Sequence, residues 1–299
     1  MVELKHFFRA AALALVSFSA MAQSTNQVEY LLTYSTEKSE YTAWIVPSYG
    51  TPNAYNPNSE EMGATAQVSI RVPRGFQVQG VEDIRGIWEK SPVKLDTQSE
   101  HFKKAGYTDS FDYFVFGKAP VETNYGAFEP NKPVALFKFK SNMQGAELLT
   151  SQDEFVRVAY DKFALNVSPS FYSRSGQPRR PEAVPLEQFM GNISLRDVLS
   201  KEADKLGDKN LMIEDKVSVI SYPNPTTDVL FVKYFLPSDV ENVQLDVLDS
   251  RGLSRKKETV SGKAGFNVVK LDVTNQPAGS FLVRVSTAEG TLTKKVVKL

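Results

Sequence analysis

Residues 64–72 set the dominant pattern of the chain. Ala64, Ala66, Val68, Ile70 and Val72 alternate with Thr65, Gln67, Ser69 and Arg71. A period of two puts successive side chains on opposite faces, one buried and one wet, as in an antiparallel sheet. Pro73-Arg74-Gly75 then breaks the strand. Shorter aromatic and β-branched runs predict further strands at 28–36, 41–46, 77–81, 111–117, 135–140, 155–160 and 163–167. No helical period stands out before Ser173. Many short strands at this spacing predict a sandwich or barrel.

The pattern stops at 173–188, SRSGQPRRPEAVPLEQ, which is Pro-rich, polar and aperiodic. This reads as a linker. A short helix is predicted over 194–207, with Ser194 as N-cap, a weak stripe of Leu195, Val198, Leu199 and Leu206, and Gly207 as stop. From Val217 seven short β-like runs return within about 80 residues, the size of a small Ig-like sandwich. The predicted fold class is all-β. A sandwich over 23–173 and a smaller one over 217–299 are joined by a linker with a short helix over 174–216.

The first 22 residues differ from both. Lys5, His6 and Arg9 precede an apolar stretch ending in Ala20 and Ala22. That is the layout of a signal peptide, with cleavage expected between Ala22 and Gln23. The apolar run is shorter than the ~20 residues a membrane-spanning helix needs.

Composition narrows the chemistry. Lys plus Arg total 35 and Asp plus Glu total 35, so no nucleic-acid partner is expected. Cysteine is absent, which removes disulfides and thiolate chemistry. Cleavage would leave His101 as the single histidine, so any Ser-His-Asp triad would have to be built on it. Its polar surroundings predict a solvated loop residue. No cofactor, no metal site and no catalytic residue are expected, although a hydrolase built on two carboxylates stays open, since sequence spacing cannot reveal such a pair. Residues 109–114, DSFDYF, are its candidate acidic cluster, equally able to hold calcium or to be a polar turn.

Four motifs follow one another after Val217: Tyr222-Pro223-Asn224-Pro225; a strand and turn in LDSRG, ending at Gly252; PAGSFLVRV, with Gly279 and Phe281; and a final TLTKKVVKL, with Lys294 and Lys295. In this order they resemble the type A C-terminal sorting domain of the Bacteroidota type IX secretion system. Phe281 stands where tyrosine is more usual. The resemblance implies passage through the periplasm to the medium or the cell surface. Its implied partners are the type IX translocon and its C-terminal signal peptidase, with attachment to anionic lipopolysaccharide as one end point. The linker before Val217 is where exposed chain would be cut. The terminal lysines are expected to lie in solvent, Gly279 to permit a close approach, and Phe281 to point inward.

The order of features in 23–173 resembles, more weakly, a cohesin-like β-sandwich. Three roles suit such a module: surface adhesion to an extracellular protein, glycan binding, or the carboxylate hydrolase above. Trp44, Tyr49, Tyr55 and Trp88 are the candidate ligand-binding aromatics, with core packing the competing role of both tryptophans.

Overall fold

The computed structural model describes residues 26–54, 56–173, 186–208, 211–214 and 217–299. The expected signal peptide, its cleavage site, Tyr55 and most of the Pro-rich stretch lie outside them.

The alternating runs become strands β1 (Val28–Ser35), β2 (Glu40–Pro47), β3 (Met62–Pro73), β4 (Val78–Asp83), β5 (Val93–Leu95), β6 (Phe111–Gly117), β7 (Thr123–Asn124), β8 (Val134–Ser141), β9 (Glu147–Leu148), β10 (Ser170–Ser173), β11 (Leu186–Glu187) and β12 (Phe189–Asn192). One sheet has the order β12-β1-β2-β8-β4. The other has the order β11-β10-β3-β6-β5, with β7 and β9 also paired to β3. The two sheets share a core: Tyr30, Ile45 and Phe137 meet Val68, Ile70 and Phe116. Inward residues two apart on each strand supply it, as the alternation requires.

Three expectations are corrected here. Helices α1 (Glu100–Lys104) and α2 (Glu154–Phe163) lie within the first sandwich. Strands were expected at 155–160 and 163–167, yet α2 takes up the first and no strand forms over 164–169. The buried residues Phe155, Val156, Val158 and Ala159 have helical spacing; Val156 and Val158 imitate an alternation. With Phe102 of α1, this stripe covers the outer face of the second sheet, where Phe155 stacks on Tyr113 with centroids 3.5 Å apart. His101 therefore sits on α1, its ring 4.9 Å from that of Phe163, rather than in a loop.

The third correction concerns the linker. β11 pairs antiparallel with β10, and β12 pairs parallel with β1. The first sandwich thus takes strands from both sides of the Pro-rich stretch, which connects β10 to β11, and runs on to Asn192. Their two- and four-residue lengths left no readable period.

Helix α3 (Leu195–Lys205) follows at once. The Ser194 hydroxyl accepts from the Asp197 amide at 3.1 Å and donates to the Asp197 carboxylate at 2.6 Å, which closes the first turn. Val198, Leu199 and Ala203 are buried. The last sandwich contains β13 (Met212–Glu214), β14 (Val217–Tyr222), β15 (Val229–Leu236), β16 (Val240–Leu248), β17 (Ser254–Gly262), β18 (Gly265–Asp272), β19 (Gly279–Thr287) and β20 (Gly290–Lys298). Its sheets are β13-β14-β15-β18 and β17-β16-β19-β20. Val232, Tyr234, Val247, Val283 and Val296 lie in the core between them. All seven expected strands are present, with β13 added at one edge.

Candidate functional site

The stretch that opens the second sandwich folds against the strand that ends it. The Tyr222-Pro223 and Asn224-Pro225 bonds are both cis. Pro223, Asn224 and Pro225 are exposed, and the Tyr222 ring stacks on Phe231 at 5.5 Å. The Val297 amide donates to Asn224 Oδ1 at 3.0 Å, and the Thr226 amide donates to the Val297 carbonyl at 2.9 Å. The Leu299 amide returns a bond to the Thr226 carbonyl at 2.9 Å. The motif therefore covers the open edge of β20; an uncovered edge would offer unpaired backbone to other chains.

The LDSRG turn is held by Asp249. Its Oδ1 accepts from the amides of Leu253 and Arg251, and its Oδ2 accepts from Arg255. The Leu253 amide, then the Arg255 guanidinium and the Arg251 amide, hold its carboxyl at about 2. Gly252 closes the turn at φ +81°. Gly279 has φ +118°, and a Cβ there would meet nothing within 4 Å. Backbone conformation, not the expected close approach, is what glycine supplies at this position. Phe281 is buried in the core beside Val283.

Two of the terminal lysines, Lys294 and Lys298, differ from their expected solvation. Lys294 is 1% exposed and is ion-paired with the buried carboxylate of Asp208. Burial pulls its ammonium below the ordinary lysine value, against the raising effect of Asp208. Lys298 Nζ donates to the carbonyls of Val273, Thr274 and Gln276 at 3.0, 2.6 and 2.8 Å. Lys295 is exposed.

The outer face of the first sheet carries Leu31, Trp44, Val46 and Ala135. Val198 and Leu199 of α3 and Phe235 of β15 cover it. Trp44 meets the Phe235 ring at 5.4 Å and donates its indole proton to Thr33 Oγ1 at 2.8 Å. Polar contacts frame this seam. The Glu289 carboxylate, in the turn between β19 and β20, accepts from Ser35 Oγ (2.6 Å), from the amides of Thr36 and Glu37 (both 3.1 Å), and from the Thr36 hydroxyl. Lys38 Nζ donates to the Asp239 carbonyl at 2.6 Å, and Thr42 Oγ1 donates to the Pro237 carbonyl at 3.2 Å. Helix α3 is tied to both sandwiches, by Lys201 to Glu29 at 3.3 Å and by Glu202 to Lys233.

Residues 221–299 match the family described as secretion system C-terminal sorting domain. A sorting domain of this kind directs its protein to the type IX secretion machinery, and so to the medium or the cell surface. No curated protein matches the chain. Among solved structures, the BSP domain of a biofilm associated protein is similar at 10% identity and a TM-score of 0.22; the alignment covers 94% of this chain and 53% of that one. The chain thus spans about half the length of that structure. Among the described residues no helix is long and apolar enough to cross a membrane.

The sorting domain also borders a cavity of about 570 Å³, walled on one side by Ser238, Asp239 and Ala264 and on the other by Lys38, Glu40, Trp44 and Lys138. Its carboxylates are ion-paired: Glu40 with Lys138 at 3.3 Å, Glu129 with Lys132 at 2.6 Å, Asp239 with Lys263 at 2.9 Å. The Lys132 hydrogen bond lowers the Glu129 carboxyl, and the Ala264 amide followed by Lys263 lowers that of Asp239. A general acid needs the opposite shift.

Of the candidate ligand-binding aromatics, Trp44, Tyr49 and Trp88 are buried. Trp88 is 1% exposed, packs on Phe137 at 4.5 Å and donates to the Arg85 carbonyl at 2.8 Å. Tyr49 is buried against Phe128. Trp44 is closed off by the sorting domain itself. The acidic cluster is divided: Asp109 accepts from the hydroxyls of Tyr107 and Tyr113, whereas Asp112 pairs with Lys94 at 3.2 Å. Among the described residues no group of three or more His, Cys, Asp or Glu could hold a metal. Asp208 and Glu289 were missed by sequence reading. Only the inward register of Lys294, between Leu292 and Val296, hinted at a buried acid nearby.

Proposed function

We propose that the chain is a non-catalytic β-sandwich module which the type IX translocon exports to the medium or the cell surface, where it engages an extracellular protein. The match of 221–299 to the sorting-domain family carries the export part. The signal peptide takes the chain across the inner membrane. The C-terminal signal peptidase then acts between α3 and β14, after which the module is released or attached to anionic lipopolysaccharide. The ion-paired acids and the His101 side chain resting on Phe163 support a non-catalytic role. Glycan binding gains no support while Trp44, Tyr49 and Trp88 are buried.

Expression of the intact chain in a Bacteroidota host, followed by fractionation, tests the export reading. The intact protein should reach the medium or the surface. A variant ending at Glu289 lacks β20 and should stay in the periplasm with its first sandwich still protease-resistant. Export of that variant at the intact level would sink the reading.

A further inference from the structure

We propose that the sorting domain is a separable cap: it binds the Trp44 face of the first sandwich as a partner domain would. Cutting the connecting chain therefore does not uncover that face. The Trp44 face stays closed to every other ligand until the sorting domain departs. This goes beyond the export reading and does not depend on it.

The strand register separates two sets of residues on β15. Leu230, Val232, Tyr234 and Leu236 enter the core of the last sandwich. Phe235, on the opposite side, belongs instead to the cluster with Leu31, Trp44 and Val46. Likewise β2 is buried at all eight positions, whereas a strand with one wet face would be buried at alternate ones. The first sheet thus carries a second apolar face, beyond what its own sandwich consumes. The sorting domain carries an aromatic aimed at it. Such an arrangement resembles a protein–protein interface, with an aromatic anchor at the centre and polar contacts around it. The rim here is Glu289 on the 35–37 turn, Lys38 on Asp239 and Thr42 on Pro237.

None of these contacts depends on the peptide chain between α3 and β14. Covalent linkage raises the effective concentration of the two surfaces, but the contacts themselves survive its loss. The face has aromatic and aliphatic centres flanked by the hydroxyls of Thr33 and Thr42. It becomes solvent-facing only by dissociation.

The test uses the full chain with a site-specific protease sequence inserted after Gly207, so that Asp208 stays with Lys294 in the sorting-domain fragment. After cutting, the two fragments should co-elute on size exclusion at micromolar concentration. In a Trp88→Phe background Trp44 is the lone indole, and its quenching by acrylamide should be the same before and after the cut. Adding Phe235→Asp and Glu289→Ala leaves the core of the sorting domain untouched. In that background cutting should separate the fragments and raise Trp44 quenching several-fold. The elution arm needs no tryptophan substitution, so it stands if Trp88→Phe folds poorly. Three results would overturn the proposal: separation of the unsubstituted fragments on cutting, free access of acrylamide to Trp44 in the uncut chain, or continued co-elution of the doubly substituted fragments.

Discussion

Lys294 shows how far one side chain can depart from its residue type. It lies between Leu292 and Val296 on the inward face of β20, and it is tolerated there because Asp208 supplies the opposite charge. Removing one partner of a buried pair leaves an uncompensated charge, typically about 3–5 kcal/mol. Asp208→Leu should therefore lower the unfolding free energy by about that much in urea titration. The double variant Asp208→Leu with Lys294→Met should recover most of it, since an apolar pair is often as stable as the ion pair. Glu289 is a different case. Burial raises its carboxyl, but the hydrogen bonds of Ser35, Thr36 and Glu37 outweigh this, and the net direction is down. A carboxyl lowered in the folded state adds stability above its unfolded value, about 4.3, and loses it as pH falls through the folded value. Contact between the 35–37 turn and the sorting domain should thus weaken on acidification below about pH 4.3. Amide exchange at Thr36 and Glu37 would report it, and Glu289→Gln should flatten the response.

Among the elements, α3 has the clearest sequence signal and the least obvious role. Ser194 and the stripe of Val198 and Leu199 were legible because capping and a 3.6-residue period are local. What the stripe packs on was not, because Leu31, Trp44 and Phe235 lie far away in sequence. Leu199 is 0% exposed. Leu199→Ala should cost about 2–5 kcal/mol, the usual range for a buried leucine, measured by chemical denaturation. A cost of a few tenths would mean that α3 rides on the surface. The misread α2 teaches the converse. Phe155, Val156 and Val158 fit either period, and the choice fell to Phe102, Tyr113 and Val115, which needed a helical face above them. Short β11 and β12 are strands only because β10 and β1 offer open edges.

For the whole molecule, the boundary of the sorting domain moves. The family match starts at Ser221, yet β13 pairs with β14, the Ser221 amide donates to Asp208 at 3.2 Å, and Asp208 neutralises Lys294. A reporter fused to residues 208–299 should carry a more stable tail than one fused to 217–299, by about 3–5 kcal/mol for the lost pair. Urea midpoints of the two fusions check it, and equal midpoints would place Asp208 outside the domain.

The amino-acid sequence by itself determined the β character of both sandwiches, the seven strands of the second, the helix after Ser194 and the motifs of the sorting domain. These rest on local periodicity, on turn residues and on short-range spacing. Tertiary structure alone decided which faces are wet. Trp44 and Val46 stand on the outer side of β2, where alternation would leave them in water, and they are dry because α3 and Phe235 lie on them. Burial is a property of two surfaces, and the second surface comes from about 190 residues further along the chain.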